Sequence, residues 1–219
     1  MPAEQTESVS APVTGYRIIL PDDWAHIPLR HGTEEAIRSI LDEAFSHIAG
    51  EASTDRVGPF KRELERRLRG TVARARESGA LDLYLPVQST SGVNVGASFL
   101  VSENLLPNRG KETGAHGAPA DIAVQLLSSD GVDDADLSSG EIDGALAVRR
   151  EHIVSADPDR GADLASRRVE YMVSVPNDPD RWFVVAFSTV GGGNPRDELA
   201  DALVEWFDAV MGTLRWSHG

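Results

Sequence analysis

The chain has 219 residues, with 35 acidic and 21 basic residues and a formal net charge of −14. Because nucleic acids and anionic membranes are polyanions, this charge disfavours both as partners. The chain contains no cysteine, which excludes disulfides, thiolate metal ligands and cysteine nucleophiles. Residues 1–13 resemble neither a signal nor a transit peptide, and no stretch has the roughly 20 apolar residues of a membrane span. We therefore expect a cytoplasmic protein.

Residues 1–14 are polar and are predicted to form a disordered tail before a single domain over residues 15–217. A first strand is predicted at residues 16–20, stopped by the turn formers that begin at Pro21. Thr33 is a good N-cap for a helix that ends near Gly50. Its apolar positions have helical spacing and are Ile37, Ile40, Leu41, Ala44, Phe45 and Ile48.

A second helix is predicted at residues 58–78, with one apolar stripe formed by Phe60, Leu64, Leu68 and Val72. Alternating apolar residues at 81–87 and 95–101 predict a β-hairpin. Residues 107–118 are rich in glycine and predict a mobile loop. Residues 120–127 fit a helix or a strand, and residues 130–141 read as an acidic, serine-rich connection.

Three further strands are predicted at residues 144–155, 167–175 and 181–190. A last helix is predicted to be capped by Asn194, to start at Pro195 and to end near Gly212. The links around Pro158 and Pro179 are too short for parallel crossovers, so these strands must be antiparallel. Strands in succession, with helices near the ends, are typical of an α+β fold. We expect an antiparallel sheet of about six strands flanked by helices as an α/β/α sandwich, with a helical hairpin inserted after strand 1.

Four potential metal ligands, Asp22, Asp23, His26 and His31, lie within ten residues. No helix would place the two histidines one turn apart, and aspartate is common in a turn that follows proline. The acidic stretch from Asp134 lacks the glycine and the final glutamate of a calcium loop. We therefore predict no metal site.

Glycines 191–193 precede the last helix, as in some phosphate-binding loops. The first turn of that helix carries Asp197 and Glu198, which would repel a phosphate. We predict a structural turn capped by its own acids, no bound cofactor and no catalytic constellation.

The second helix is basic although the protein is acidic. Between Gly58 and Gly79 it has seven basic residues against three acidic ones, and such a face could dock an acidic partner. The candidate partner-binding residues are Arg62, Arg66, Arg67 and Arg69. Pairing with the preceding acidic helix, or simple solvation, explains the same pattern.

The segment YRIILPDDW (residues 16–24) and the Trp182 strand, followed by a helix and the closing residues 213–216, resemble the PsbP-like and LpqN-like superfamily. The resemblance implies an α/β/α sandwich around an antiparallel sheet, with a binding or assembly role and no shared active site. An excess of arginine over lysine, 19 against two, suggests an actinobacterial source.

Three functions follow as hypotheses. The first is a non-enzymatic interaction or adaptor domain that binds another protein, through the second helix or an exposed sheet face, in a secretion or assembly system; homo-oligomerisation is open. The second is a small-ligand binding domain that uses the sheet concavity beneath the loop at residues 107–118. The third is a metal-assisted hydrolase around His26 and His31.

Overall fold

A computed structural model describes residues 11–46, 54–87, 96–105 and 135–219. The described strands are β1 (Val13–Arg17), β2 (Trp24–Pro28), β3 (Ala80–Pro86), β4 (Ala97–Leu105), β5 (Asp136–Ile142), β6 (Ala145–Val154), β7 (Ser166–Val175), β8 (Asp178–Thr189) and β9 (Arg215–His218). The described helices are α1 (Thr33–Ser46), α2 (Thr54–Glu77), α3 (Glu198–Gly212) and a short 3₁₀ helix (Pro158–Arg160).

Seven strands form one sheet in the order β2-β3-β4-β8-β7-β6-β5, and every neighbouring pair is antiparallel. The predicted α+β class is confirmed. The first strand is not part of this sheet, because β1 pairs with β9 in a separate two-stranded ribbon, with Tyr16 opposite Trp216. The helical hairpin therefore follows β2, not strand 1. β1 also begins at Val13, inside the range predicted as a tail, while residues 1–10 lie outside the described residues.

Strand β5 corrects the prediction of a connection at residues 130–141. Six consecutive positions of this strand, Asp136 to Glu141, are exposed, so no apolar alternation marks it in the sequence. It is held by continuous pairing with β6 through a two-residue turn at Asp143 and Gly144, whose φ angles are 49° and 74°. Positive φ at both turn positions is the geometry that favours tight β-hairpins. The predicted loop at 107–118 and the segment 120–127 lie outside the described residues.

The sheet is covered by helices on both faces, which confirms the α/β/α arrangement. On one face Phe183, Val185 and Phe187 of β8 pack with Phe207 of α3 and Trp216 of β9 in one buried cluster. On the other face α1 and α2 lie over β2 and β3. Their buried cluster includes Ile27, Leu83, Ile37, Leu41 and Val72.

The N-terminus of α3 is capped by Asp197, not by the predicted Asn194. One Asp197 carboxylate oxygen accepts the backbone N–H of Ala200 at 2.7 Å, and the other accepts that of Gly192 at 2.8 Å. The acid thus occupies the place that a bound anion would need, so the glycine run acts as the predicted structural turn.

Charged side chains tie α3 to strands β6 and β7. Arg149 donates to both carboxylate oxygens of Asp208 at 3.0 Å and to Glu151 at 2.6 Å. Arg167 pairs with Glu151 and with Asp201, and the Tyr171 hydroxyl donates to Asp208 at 2.9 Å. Asp201 and Asp208 belong to α3, so the network fixes this helix along two strands.

Replacing Phe207 by alanine should destabilise the fold strongly. Its ring is fully buried and stacks on Phe187 with centroids 4.7 Å apart, and such core truncations cost about 3–5 kcal/mol. Phe60→Ala is the matched control, since 60% of Phe60 is exposed, and it should change the free energy of unfolding by less than about 1 kcal/mol. Urea unfolding measures both, and equal losses would contradict this packing.

Glu151 should make the stability depend on acidic pH. Burial alone would raise the pKa of Glu151, but hydrogen bonds and attraction from Arg149 and Arg167 outweigh burial and lower it below the usual 4.5. A carboxyl whose pKa is lower in the folded state stabilises the fold above its unfolded pKa, and this contribution is lost as the pH falls through the folded pKa. Glu151→Gln should therefore reduce stability at pH 7 and flatten its fall below about pH 5.

Thermal unfolding across pH measures this effect. Glu205→Gln removes a carboxylate from an exposed position of α3 and serves as the charge-matched control. A Glu151→Gln profile parallel to the wild-type profile would show that the network does not carry the acid sensitivity.

Candidate functional site

The predicted partner-binding arginines lie on α2, whose inner side packs against α1. Leu68, Val72 and Ala75 contribute to the buried cluster between the helices and the sheet. The side chains of Arg66 and Arg67 are 72% and 73% exposed. Both arginines therefore face solvent, on the side of α2 that no described element covers.

Glu63 lies between these two arginines and binds both. Arg66 donates to the two Glu63 carboxylate oxygens at 2.9 and 2.8 Å, and Arg67 donates to one of them at 2.7 Å. Hydrogen bonds from Arg66 and Arg67 lower the pKa of Glu63 to about 2. One carboxylate against two guanidinium groups leaves a net positive charge on this turn of the helix.

Arg69 has a different role. It pairs with Glu34 of α1 and with Glu65 of its own helix at 3.1 Å, and these contacts raise its pKa. Lys61 also reaches α1, binding Asp42 at 2.8 Å. Pairing with the acidic helix therefore accounts for these two basic residues within the described structure.

Arg62 lies one turn before Arg66 and is exposed. Among the residues that the structure describes, no carboxylate lies within ion-pair distance of it. Arg62 therefore adds a positive charge one turn before the Glu63 cluster.

Two large apolar side chains are exposed on the same helix. Leu64 is three residues before Arg67 and neighbours it on the helix surface, whereas Arg66 approaches this side through its bonds to Glu63. Phe60 is 60% exposed and Leu64 is 37% exposed, and the only ring contact of Phe60 among the described residues is with Phe45, edge-on at 5.9 Å. We call Phe60, Leu64, Arg66 and Arg67, with Glu63 between them, the α2 patch.

Phe60 and Leu64 were predicted to lie on one apolar stripe with Leu68 and Val72, but only the second half of this row is buried in the structure. Each step of four residues advances about 40° around an α-helix, so Phe60 lies roughly 120° away from Val72. The constant spacing of four residues could have revealed that the row of apolar side chains turns steadily around the helix. Apolar residues at both ends of such a row cannot share one buried face.

The residues weighed as a metal site are not brought together. His26 lies in β2 with its Nε2 atom 2.6 Å from an oxygen of Asp82 in β3, and its ring stacks on Tyr84. The Tyr16 hydroxyl donates to the other Asp82 oxygen at 2.6 Å. Within the described parts of the chain, no group of three acidic or histidine residues is placed to hold a metal ion.

The pKa values of this cluster follow from burial and hydrogen bonding. Burial would raise the pKa of Asp82, but the hydrogen bonds from His26 and Tyr16 outweigh burial and lower it. Burial raises the pKa of Tyr84 to about 12. The carboxylate is thus charged and the phenol protonated at neutral pH, and the cluster links the β1–β9 ribbon to the main sheet.

Comparison with known proteins gives only distant similarities. No protein-family model and no curated protein matches the sequence. LpqN of Mycobacterium tuberculosis, involved in cell envelope biogenesis, aligns over 97% of this chain and 87% of its own with a TM-score of 0.42 and 11% identity. PA94 of Pseudomonas aeruginosa, a protein of unknown function, aligns over 60% of this chain and 88% of its own with a TM-score of 0.35 and 17% identity. Similarities this weak assign neither a family nor a function.

None of the described helices combines the length and the apolar character that crossing a membrane requires.

The ion cluster of the α2 patch predicts an unusual titration. The Glu63 carboxyl should titrate near pH 2 because two guanidinium groups hold its charged form. In Arg66→Gln/Arg67→Gln its pKa should return towards the ordinary value of about 4.3. NMR titration of side-chain carboxyl carbons measures both values, and a Glu63 pKa that the double substitution leaves unchanged would contradict the cluster.

Proposed function

We propose that this chain is a non-enzymatic protein-interaction domain that docks an acidic, partly apolar segment of another protein on the α2 patch. The observation that carries the proposal is the exposure of Phe60 and Leu64 on the helix that also exposes Arg66 and Arg67, with Arg67 one turn from Leu64. A buried apolar centre with arginine at its border is the composition that protein interfaces favour.

The apolar pair supplies the attraction. Complete burial of a phenylalanine or leucine side chain contributes roughly 1.5–3 kcal/mol, and Phe60 retains 60% of its surface for a partner to cover. An aromatic ring already supported by Phe45 loses little rotational freedom on binding. Phe60 is therefore the expected anchor of the interface.

The arginines supply the selectivity. A partner carboxylate could bind Arg66 or Arg67, which now share Glu63, and could bind Arg62, one turn before this cluster. The protein as a whole is strongly acidic, with a net charge of −14, and repels an acidic partner elsewhere. The α2 patch thus defines where such a partner can approach. Membership of the PsbP-like and LpqN-like superfamily, and a link to a secretion or assembly system, belong to this same proposal.

Site-specific photo-crosslinking in the native host tests the proposed interface. A benzoylphenylalanine at position 64 should capture a partner, whereas the same group at exposed Arg17 in β1 should not. Adding Arg66→Gln/Arg67→Gln or Phe60→Ser to the position-64 protein should lower capture about tenfold. Arg17→Gln/Arg196→Gln is the matched control because it removes two exposed arginines elsewhere.

Glu63→Gln should change crosslinking to the partner in the opposite direction. Removing this carboxylate frees Arg66 and Arg67 for the partner, so capture should rise and become more sensitive to salt. Equal capture from positions 64 and 17, or undiminished capture in the arginine and phenylalanine variants, would overturn the proposed role of the α2 patch.

A further inference from the structure

At the edge of the main sheet farthest from α2, strand β5 pairs with β6 and with no second strand among the described residues. It is the last strand in the order and bonds to β6 in unbroken register from Asp136 opposite Glu151 to Ile142 opposite Ala145. In a tight hairpin the residues that flank the turn form a hydrogen-bonded pair, and such pairs alternate along the ladder. Leu137, Ser139 and Glu141 therefore point their backbone N–H and C=O groups away from the sheet.

The outer edge of β5 is also unobstructed. Residues Asp136 to Glu141 are all exposed, and a side-chain carbon added at Gly140 would meet nothing within 4 Å. Natural edge strands are commonly protected by lysine, proline or a bulge. The sequence of β5, DLSSGEI, contains neither residue, and its register has no bulge. The edge is therefore competent to pair with another strand.

A groove runs beside this edge, between β5 and α3. One cavity of about 650 Å³ is lined by Asp136, Glu151, Arg167, Arg196 and Asp201 among others. A second cavity of about 240 Å³ lies farther along the strand, beside Ser138, Gly140 and Met211. Alternate side chains of an added strand project to the same face as these cavities, since side chains alternate across a sheet.

The charge of the groove identifies the kind of strand that fits. The linings of the two cavities hold an excess of carboxylates, five against three guanidinium groups: Asp136, Glu141, Glu151, Asp201 and Asp208 against Arg149, Arg167 and Arg196. Asp201 and Asp208 already pair with Arg167 and Arg149, so the negative charge left for a ligand lies mainly on β5, at Asp136 and Glu141. A second copy of this chain would add its own Asp136 and Glu141 to an edge that already carries excess negative charge, and like charges repel. A basic segment is complementary to this charge.

We propose that β5 binds an extended, basic segment of a partner protein by strand addition, as an eighth strand of the sheet. Backbone bonds to Leu137, Ser139 and Glu141 hold the segment, and the carboxylates of β5 select its lysine or arginine side chains. This site is independent of the α2 patch, which lies on the helical hairpin next to β2 and β3.

A defined probe tests strand addition. A fluorescein-labelled nine-residue peptide that alternates lysine with threonine and valine should bind the wild-type protein by fluorescence anisotropy. The same peptide with N-methyl groups on alternate residues keeps its charge but cannot pair along one edge, and it should bind at least about tenfold more weakly. Equal binding of the two peptides, or no binding of either, would overturn the proposal.

Ser139→Pro tests the protein side of the interaction. Ser139 occupies a position that does not bond to β6, so proline removes an outward N–H without breaking the β5–β6 ladder. Peptide affinity should fall at least about tenfold, while Ser139→Ala, which keeps the N–H, should bind as the wild type does. Far-UV circular dichroism verifies that the variants are folded. If the proline variant does not fold, the comparison of the two peptides on wild-type protein still tests strand addition.

Two further results separate this site from its alternatives. Asp136→Asn/Glu141→Gln should weaken binding of the basic peptide, whereas Arg66→Gln/Arg67→Gln should leave its affinity unchanged. The proposals for this site and for the α2 patch can therefore be contradicted separately. Sedimentation of the wild-type protein should not show a dimer that dissociates in the Ser139→Pro variant. Such a dimer would mean that β5 pairs with a second copy, and it would overturn the proposal.

Discussion

Strand β8 is apolar on both faces, and this constraint organises the rest of the molecule. Phe183, Val185 and Phe187 point to one face and are fully buried. Trp182, also buried, points to the other. A strand that presents apolar side chains in both directions must lie in the middle of the sheet, covered on both sides. β8 accordingly has β4 and β7 as its neighbours.

The described helices cover different parts of the two faces of the sheet, and the Trp182 face of β8 packs with Val148 and Met172 of the neighbouring strands. Helix α3 closes one face through Phe207, and the charged network of Arg149 and Arg167 fixes it along β6 and β7. The α1–α2 hairpin occupies the other face over β2 and β3. Because these helices bury one side each, their outer sides and the sheet edges are the surfaces left for recognition. Both proposed sites belong to this periphery.

The sequence predicted the elements whose signals are local. Strands β6, β7 and β8 were found from apolar alternation, and their antiparallel pairing from the short links around Pro158 and Pro179. Helices α1 and α3 were found from apolar periodicity, although the cap of α3 is Asp197 and not Asn194. In each of these elements the residues that specify the structure lie within a few positions of one another.

The missed features depend on distant contacts or on exposure. β1 and β9 pair from opposite ends of the chain, and no local pattern reports that Tyr16 lies opposite Trp216. β5 is exposed at six consecutive positions, so its pairing with β6 leaves no apolar period. Arg66 and Arg67 lie on a free surface as expected, whereas Arg69 is engaged with α1, and the binding role of all four arginines stays a prediction. To predict that Phe60 and Leu64 are exposed, the angular position of each residue has to be followed over several turns of the helix.

The distribution of charge explains why two recognition surfaces can coexist on one small protein. The α2 patch carries more guanidinium groups than carboxylates, and the lining of the β5 groove carries more carboxylates than guanidinium groups. The two proposed sites therefore favour partners of opposite charge. Strands β2 and β5 are the opposite edges of a seven-stranded sheet, and at about 4.8 Å per strand they are separated by roughly 29 Å. That distance exceeds the Debye length of about 8 Å at physiological salt. A partner at one surface therefore neither blocks nor neutralises the other, and a chain with this arrangement can hold a basic segment and an acidic segment at the same time.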